Sequence, residues 1–324
     1  MTILHSFPRI HIGLLDLGNA TLRDHGGAGF CIDGLPVEIA IRHSRSARIV
    51  GLSQLDRDGQ CDLRAAIERM RGGLKWPSMA VRLSNVLPQH VGLGSKTATI
   101  LGVLKGLDLF LDSKLDNRRL QELSGRGGTS GIGVNTFFTG GFVVDCGHAT
   151  RKEREFAPSS QQVNFEIPPL VCRIAVPDDW CFYLFVLPGR RVRSKAEANF
   201  FRANTPIPRA EVLKALSLVY HGVVPAVISA DQRSLKNSLR GLQRTGFKLR
   251  ELQNQTSAVR SFIERVDETT NLAVGMSSLG PLVYAIGVGG DRRTEESVRK
   301  LCAAYRGQCL GSFPSRNRGF EEIK

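Results

Sequence analysis

The sequence predicts an α+β protein of two domains, residues 1–165 and 166–324, and three observations carry that reading. A short alternating run, a glycine-rich loop and a helical pattern follow one another from Met79 to Leu111. The closing stretch of the chain reads strand, helix, helix, strand, helix, strand, which suits helices layered on a sheet. Between the halves, Arg151 to Pro169 is charged, rich in Ser and Gln and bounded by proline, as a loop or domain linker is.

A chain of 324 residues supports one large domain or two smaller ones. Its 42% hydrophobic content and mean hydropathy of −0.11 are ordinary for a soluble globular protein. No apolar run approaching the ~18–20 residues that span a bilayer is expected. Met1 to Leu15 lacks the charged start and apolar core of a signal peptide, so no membrane contact is expected. Seven cysteines, an odd number without a C-x-x-C pair, argue against a disulfide framework or structural zinc and for the cytoplasm. A formal charge of +14 leaves nucleic acid or an anionic small molecule as partner. The basic residues are dispersed and lack interleaved aromatics, so no nucleic acid is expected; a solvated surface accounts for most of the charge and a phosphate-rich substrate can use the rest.

Residues 4–42 read as strand, loop, strand. Arg9, His11, Asp16, Arg23 and His25 lie close to the glycines 26, 27 and 29, which makes a site there more plausible than isolated structural residues. Asp62 to Arg71 is a short amphipathic helix. At the centre, Gly92-Leu93-Gly94-Ser95 precedes a helix with Leu101, Leu104, Leu107 and Leu111 on one face. Two glycines allow close backbone approach, and Ser95 or Thr97 can cap the helix. Free N–H groups and the positive end of the dipole form an anion site there, to which Lys96 adds a charge. The competing reading is a turn that merely starts a core helix. Asp116 to Leu123 is a further helix. Gly125 to Asn135 carries five glycines with Arg126, Thr129 and Ser130, which suits backbone wrapped round an anion. Asp145 and His148 stand at the exit of the next strand, where turn chemistry also explains them. Leu170 to Leu187 gives two strands. Helical periodicity follows at Lys195 to Phe201, Pro208 to Tyr220, Val223 to Gly241 and Gln253 to Asp267. A loop from Gly275 to Pro281, a strand from Leu282 to Val288, a helix from Thr294 to Tyr305 and a short strand close the chain.

Three of these signals together resemble the GHMP kinase superfamily. Pro88-x-x-x-Gly92-Leu93-Gly94-Ser95 is similar to its phosphate loop, Ser130-Gly131-Ile132 to its second motif, and Gly275 to Pro281 to its third. The resemblance implies a ribosomal S5 domain 2-like N-terminal domain and a ferredoxin-like C-terminal domain. Ile12 to Asp16, His25 to Phe30, His90 to Ser95, Gly125 to Val134, Gly140 to His148 and Gly246-Phe247-Lys248 resemble, more finely, the β-ribofuranosylaminobenzene 5′-phosphate synthase family. Two departures separate the chain from the kinases: Gly133 stands where their catalytic Asp follows Ser-Gly-Ile, and Lys96 where a second loop Ser is usual.

The finer resemblance implies 5-phosphoribosyl 1-diphosphate and 4-aminobenzoate or 4-hydroxybenzoate as substrates, with loss of carbon dioxide and diphosphate in tetrahydromethanopterin biosynthesis. It makes Lys96, Arg126, Asp16 and Asp145 the candidate catalytic residues. Arg9, His11, Arg23, His25, His90, Gly92, Leu93, Gly94, Ser95, Thr97, Gly128, Thr129, Ser130, His148, Ser277 and Ser278 are candidate substrate and diphosphate ligands. Magnesium is expected with the diphosphate, on Asp16 or Asp145, and no organic cofactor. A homodimer is expected. The rival readings are an ATP-dependent small-molecule kinase and an anion-binding relative without chemistry.

Overall fold

The chain opens with β1 (Thr2–Ser6) and β2 (Arg9–Asp16), and Phe7-Pro8 between them sends the two to different sheets. The structure is a computed structural model and describes residues 1–150, 156–157, 167–289 and 291–323. β3 (Arg23–Cys31) returns antiparallel to β2, and β4 (Val37–His43) antiparallel to β1. β5 (Arg48–Val50), helix α1 (Arg57–Arg71) and β6 (Met79–Ser84) complete the first sheet, with β5 and β6 parallel. The expected helix at 62–71 starts earlier because the Asp56 carboxylate accepts from Gly59 N–H and caps it at 56.

Helix α2 (Ser95–Leu111) is enclosed by this sheet, by α1, and by α3 (Asn117–Ser124) and α4 (Ile132–Thr139). The sequence suggested one apolar face. The structure instead buries every residue from Ala98 through Leu104, about two full turns, so α2 is the central core helix of its half. Gly102 lets it lie on the sheet: a Cβ there would stand 2.7 Å from Ile39 Cδ1 and 3.2 Å from Ser6 Cβ. Gly102→Val is therefore expected to cost about 1–3 kcal/mol by overpacking, read from the urea midpoint at unchanged slope. Helix α4 was not foreseen, because Gly133 and Val134 lie in a stretch read as glycine-rich loop as far as Asn135.

β7 (Phe142–Asp145) pairs with β3, β8 (His148–Ala149) extends β3, and β9 (Leu170–Ile174) pairs with β7, so the second sheet runs β2-β3-β7-β9. Residues 170–174 lie beyond the division expected at 165/166, yet hydrogen-bond to the N-terminal sheet. Most of the expected linker at 151–169 falls outside the described residues.

The remaining chain forms β10 (Trp180–Val186), then helices α5 (Ser194–Asn204), α6 (Arg209–Leu218), α7 (Val224–Ile228), α8 (Gln232–Leu242), α9 (Gly246–Gln253) and α10 (Ser257–Thr269). β11 (Ala273–Met276), β12 (Leu282–Val288), α11 (Arg292–Ala304), β13 (Gln308–Pro314) and β14 (Glu321–Ile323) follow. Strands β10 to β13 form an antiparallel sheet in the order β11-β12-β10-β13. Numbered along this unit that order is 2-3-1-4, the ferredoxin-like arrangement. Four buried residues make β11 a strand where the sequence suggested loop. Strand β14 leaves this unit and pairs with β1 at the edge of the first sheet.

A π turn at Val219–Val223 joins α6 to α7, so Arg209–Ile228 is one helical stretch of 20 residues with mean hydropathy 1.4. By length and composition it could cross a bilayer, contrary to the expectation that no such run exists. Its apolarity has a local use: Val212, Ala215, Val219, Val223, Ala226 and Val227 are buried in the protein.

Candidate active site

A cleft of about 520 Å³ opens over the first turn of α2. Gly94 is the N-cap, at φ 73°, where a side chain would strain the backbone. Ser95 does not cap the helix as expected: its Oγ–H donates backwards to Leu87 O at 2.7 Å, and among the described residues no side chain accepts from the first turn. Those N–H groups are left for a ligand, at the positive end of a buried 17-residue helix.

The C-terminal half clamps this loop. Ser277 Oγ–H donates to Gly92 O at 2.7 Å, and Leu282 N–H to Val91 O at 2.9 Å. His11 N–H donates to Ser277 Oγ at 3.0 Å, and Ser278 N–H to His11 O at 3.0 Å. Arg9 holds the other side, its N–H on Leu93 O at 3.0 Å and its guanidinium on Gly92 O at 2.5 Å. Hydrogen bonds thus tie the loop, strand β2 and the 277–282 turn to one another.

Cations crowd the cleft wall. Lys96 Nζ donates to Asp62 Oδ2 at 3.0 Å, and Arg126 Nε to Thr97 Oγ1 at 3.2 Å. Burial pulls the Arg9 guanidinium down to about 10, with Arg126 adding to the effect and Glu251 opposing it. Burial also lowers Arg126, against the pull of Asp62 and Glu197. Two guanidinium groups that burial disfavours, each near the other, gain most from an anion between them. His90 Nε2 lies 2.7 Å from Asp56 Oδ2, and the Asp56 carboxyl is lowered on balance by Gly59 N–H, His90 and Lys96 against the opposing effect of burial.

Of the residues expected at the site, Arg9, His11, His90, Gly92, Gly94, Ser95, Lys96, Thr97, Arg126, Thr129, Ser130 and Ser278 line this cleft. Leu93 and Ser277 are buried beneath it and hold its shape. The others are not brought to its wall. Asp16 is a turn residue: its oxygens accept from the N–H groups of Gly18, Ala20 and Thr21 at 2.9–3.1 Å. Arg23 donates to Cys146 O and Gly147 O, both at 2.7 Å. His25 and His148 are buried edge to face, 5.8 Å apart, with Phe156 against His25. Asp145 accepts from Gly147 N–H at 2.9 Å, Gly131 N–H at 3.0 Å and Ser130 Oγ–H at 3.1 Å, and Gly128 is buried in the turn beside it.

This corrects the metal expectation. Asp16 and Asp145 have their oxygens filled by N–H and O–H donors and do not fit a cation. The carboxylates on the cleft wall are Asp58, Asp62, Glu197 and Glu251, which the sequence did not single out. Glu197 comes from α5 and Glu251 from α9, so no local motif could signal them; Asp62 sits inside a helix already read as amphipathic. Burial raises the Glu197 carboxyl against the pull of Arg126 and Lys96. Among the described residues no three His, Cys, Asp or Glu side chains converge as a metal cage. Asp16→Ala is accordingly expected to cost about 1–3 kcal/mol of stability through three orphaned N–H groups, and to leave any magnesium dependence of the chain unchanged in a titration.

An uncapped buried helix at the seam of these two units, clamped by a C-terminal turn, defines a protein of the GHMP type. Residues 62–141 match the model of the GHMP kinases N terminal domain. Homoserine kinase from Cytophaga hutchinsonii superposes with a TM-score of 0.71 at 15% identity, over 100% of this chain and 97% of that one. Phosphomevalonate kinase from Streptococcus pneumoniae superposes at 0.70 with 13% identity over 100% of both. These likenesses show the fold. In sequence, the β-ribofuranosylphenol 5′-phosphate synthase of Archaeoglobus fulgidus is 31% identical over 99% of both chains. That of Methanothermobacter thermautotrophicus is 29% identical over 99% of this chain and 98% of its own. The chain belongs to the β-ribofuranosylphenol 5′-phosphate synthase family.

Proposed function

We propose that the chain transfers phosphoribose from 5-phosphoribosyl 1-diphosphate to the ring carbon of 4-hydroxybenzoate or 4-aminobenzoate that carries the carboxyl group. Carbon dioxide and diphosphate leave, and the product is a C-glycoside of the tetrahydromethanopterin pathway. Family membership supports the reaction, and the observation that carries it is the uncapped start of α2 ringed by Lys96, Arg9 and Arg126. Diphosphate departs from the anomeric carbon as positive charge builds on the sugar. Fixed N–H groups and cations that bind the leaving oxygens more tightly as charge develops lower that barrier. The para hydroxyl or amine pushes electrons to the attacking carbon, and loss of carbon dioxide restores aromaticity, so no base need take a ring proton.

The kinase reading fits less well. A Cβ on Gly133 would stand 3.2 Å from Thr97 Cγ2, which leaves little room for the carboxylate that kinases carry there. Magnesium arriving with the diphosphate would be held by Asp62 and Glu197, and would supply positive charge to the phosphate oxygens. No organic cofactor enters this chemistry. We place the enzyme in the cytoplasm, a reading its seven free cysteines support, and as a homodimer, for which Leu170 and Val171, 40% and 46% exposed on β9, offer apolar surface.

Purified chain with phosphoribosyl diphosphate, magnesium and carboxyl-labelled 4-hydroxybenzoate or 4-aminobenzoate is expected to release labelled carbon dioxide. ATP consumption without release would support a kinase, and neither would support a binder. Inorganic diphosphate alone is expected to raise the melting temperature, by about 2.7 kcal/mol of added stability at a hundredfold excess over its Kd.

A further inference from the structure

Ser130 has a hydroxyl whose geometry the phosphate-binding reading does not use. Its Oγ–H donates to Asp145 Oδ2 at 3.1 Å, and its oxygen lies 3.2 Å from His11 Nε2. With its own hydrogen directed at Asp145, Ser130 Oγ accepts from Ile132 N–H at 3.3 Å and keeps a lone pair for a ligand in the cleft. Gly27 makes room for the cluster: a Cβ there would stand 2.5 Å from Ser130 Oγ and 3.0 Å from His11 Nε2. Asp145 and His11 are buried, 0% and 6% exposed, while Ser130 is half-buried on the cleft wall. A carboxylate two bonds behind a cleft hydroxyl repels a diphosphate, so this end of the cleft suits the other substrate. Burial pushes Asp145 up to about 7, against the donors Gly147, Ser130 and Gly131, which is the range a general base at neutral pH needs. Burial, with Arg9 and Lys248, holds His11 well below its usual value, so its ring stays neutral where Nε2 lies against Ser130 Oγ.

Resting on the synthase reading, we propose that Ser130, backed by Asp145 and steadied by His11, takes the phenolic proton of 4-hydroxybenzoate, so that the site is built for a hydroxyarene that reacts as its phenolate. The substrate O–H bond breaks, its proton passes to Ser130 Oγ, and the Ser130 proton passes to Asp145 Oδ2. The oxygen electron pair forms a ring C=O while the carboxyl-bearing carbon bonds to the anomeric carbon and the C–O bond to diphosphate breaks. Loss of carbon dioxide returns its electron pair to the ring and the phenolate recovers its proton by the same route. The carboxylate that the second motif lacks at Gly133 is thus supplied from the end of β7. Ser130 is the catalytic residue here, and Asp145 and His11 are positioning residues.

The test compares carbon dioxide release from 4-hydroxybenzoate, 4-aminobenzoate and 3,5-difluoro-4-hydroxybenzoate, whose phenol is largely ionised at neutral pH. In Ser130→Ala the hydroxybenzoate-to-aminobenzoate rate ratio is expected to fall about a hundredfold, and the difluoro substrate to recover most of that loss. Asp145→Asn is expected to lower the same ratio; should it fail to fold, Ser130→Ala decides alone. Equal loss on all three substrates overturns the inference, as does an unaltered chain that uses 4-aminobenzoate but not 4-hydroxybenzoate. An unaltered chain that releases carbon dioxide from none of them refutes the synthase reading itself, and the inference with it.

Discussion

A Lys96→Met variant is expected to lose about 10²–10³-fold in kcat, the effect of removing one fixed group from a developing anion. Lys96 is held before any ligand arrives, its Nζ 3.0 Å from Asp62 and its side chain 16% exposed. Phosphate oxygens entering over the first turn of α2 would exchange with Asp62 or share the ammonium with it. The charge therefore needs no reorganisation when the sugar–oxygen bond breaks, which places its contribution in the transition state. Steady-state carbon dioxide release against phosphoribosyl diphosphate separates the possibilities. A fall in kcat assigns Lys96 to the leaving group; a raised KM with kcat unchanged assigns it to ground-state binding alone, and that outcome would sink the assignment.

The second large effect lies under the cleft. Lys248 and Glu251, 1% and 2% exposed, form an ion pair within α9, and Lys248 Nζ also donates to Met276 O at 3.2 Å and Ser278 O at 3.4 Å. Lys248→Met leaves a buried carboxylate unpaired and is expected to cost about 3–5 kcal/mol in urea unfolding. Adding Glu251→Gln is expected to recover part of that, since the amide carries no charge to strand. Burial already raises the Glu251 carboxyl, against Lys248 and Arg9. Without Lys248 it rises further, so the folded chain holds a proton that the unfolded chain releases. Stability of the single variant should therefore fall as pH rises above the unfolded carboxyl range and recover toward acid, with the deficit smaller at pH 5 than at pH 8. A deficit independent of pH would mean that Glu251 is not charged in the unaltered protein.

The elements with local signals were legible in the sequence. The strand, loop and helix around Gly92 to Leu111 carry periodicity and turn residues, and their neighbours in the cleft come from motifs that could be read one at a time. What escaped was of three kinds. Asp16 and Asp145 stand at strand exits, where the same residue type serves a ligand or the next turn's N–H groups; only the hydrogen bonds decide, and they give Asp16 to its turn and Asp145 to its turn and the Ser130 hydroxyl. Glu197, Glu251 and strand β9 enter through contacts remote in sequence, which no window of residues reports. Helix α4 illustrates a third difficulty: glycine and β-branched residues give poor helix propensity, and packing of Ile132, Val134 and Phe137 into the core overrides it.

The pairing of β14 with β1 joins Leu4 to Glu322 across almost the whole chain. During synthesis the first sheet can gather its inner strands early, yet that edge stays open until Glu321–Ile323 leave the ribosome. The sheet that holds β1 is thus closed only after the whole second unit has been made. Deleting Glu321–Ile323 would leave every cleft-lining residue in place and still leave a raw strand edge exposed to sticking.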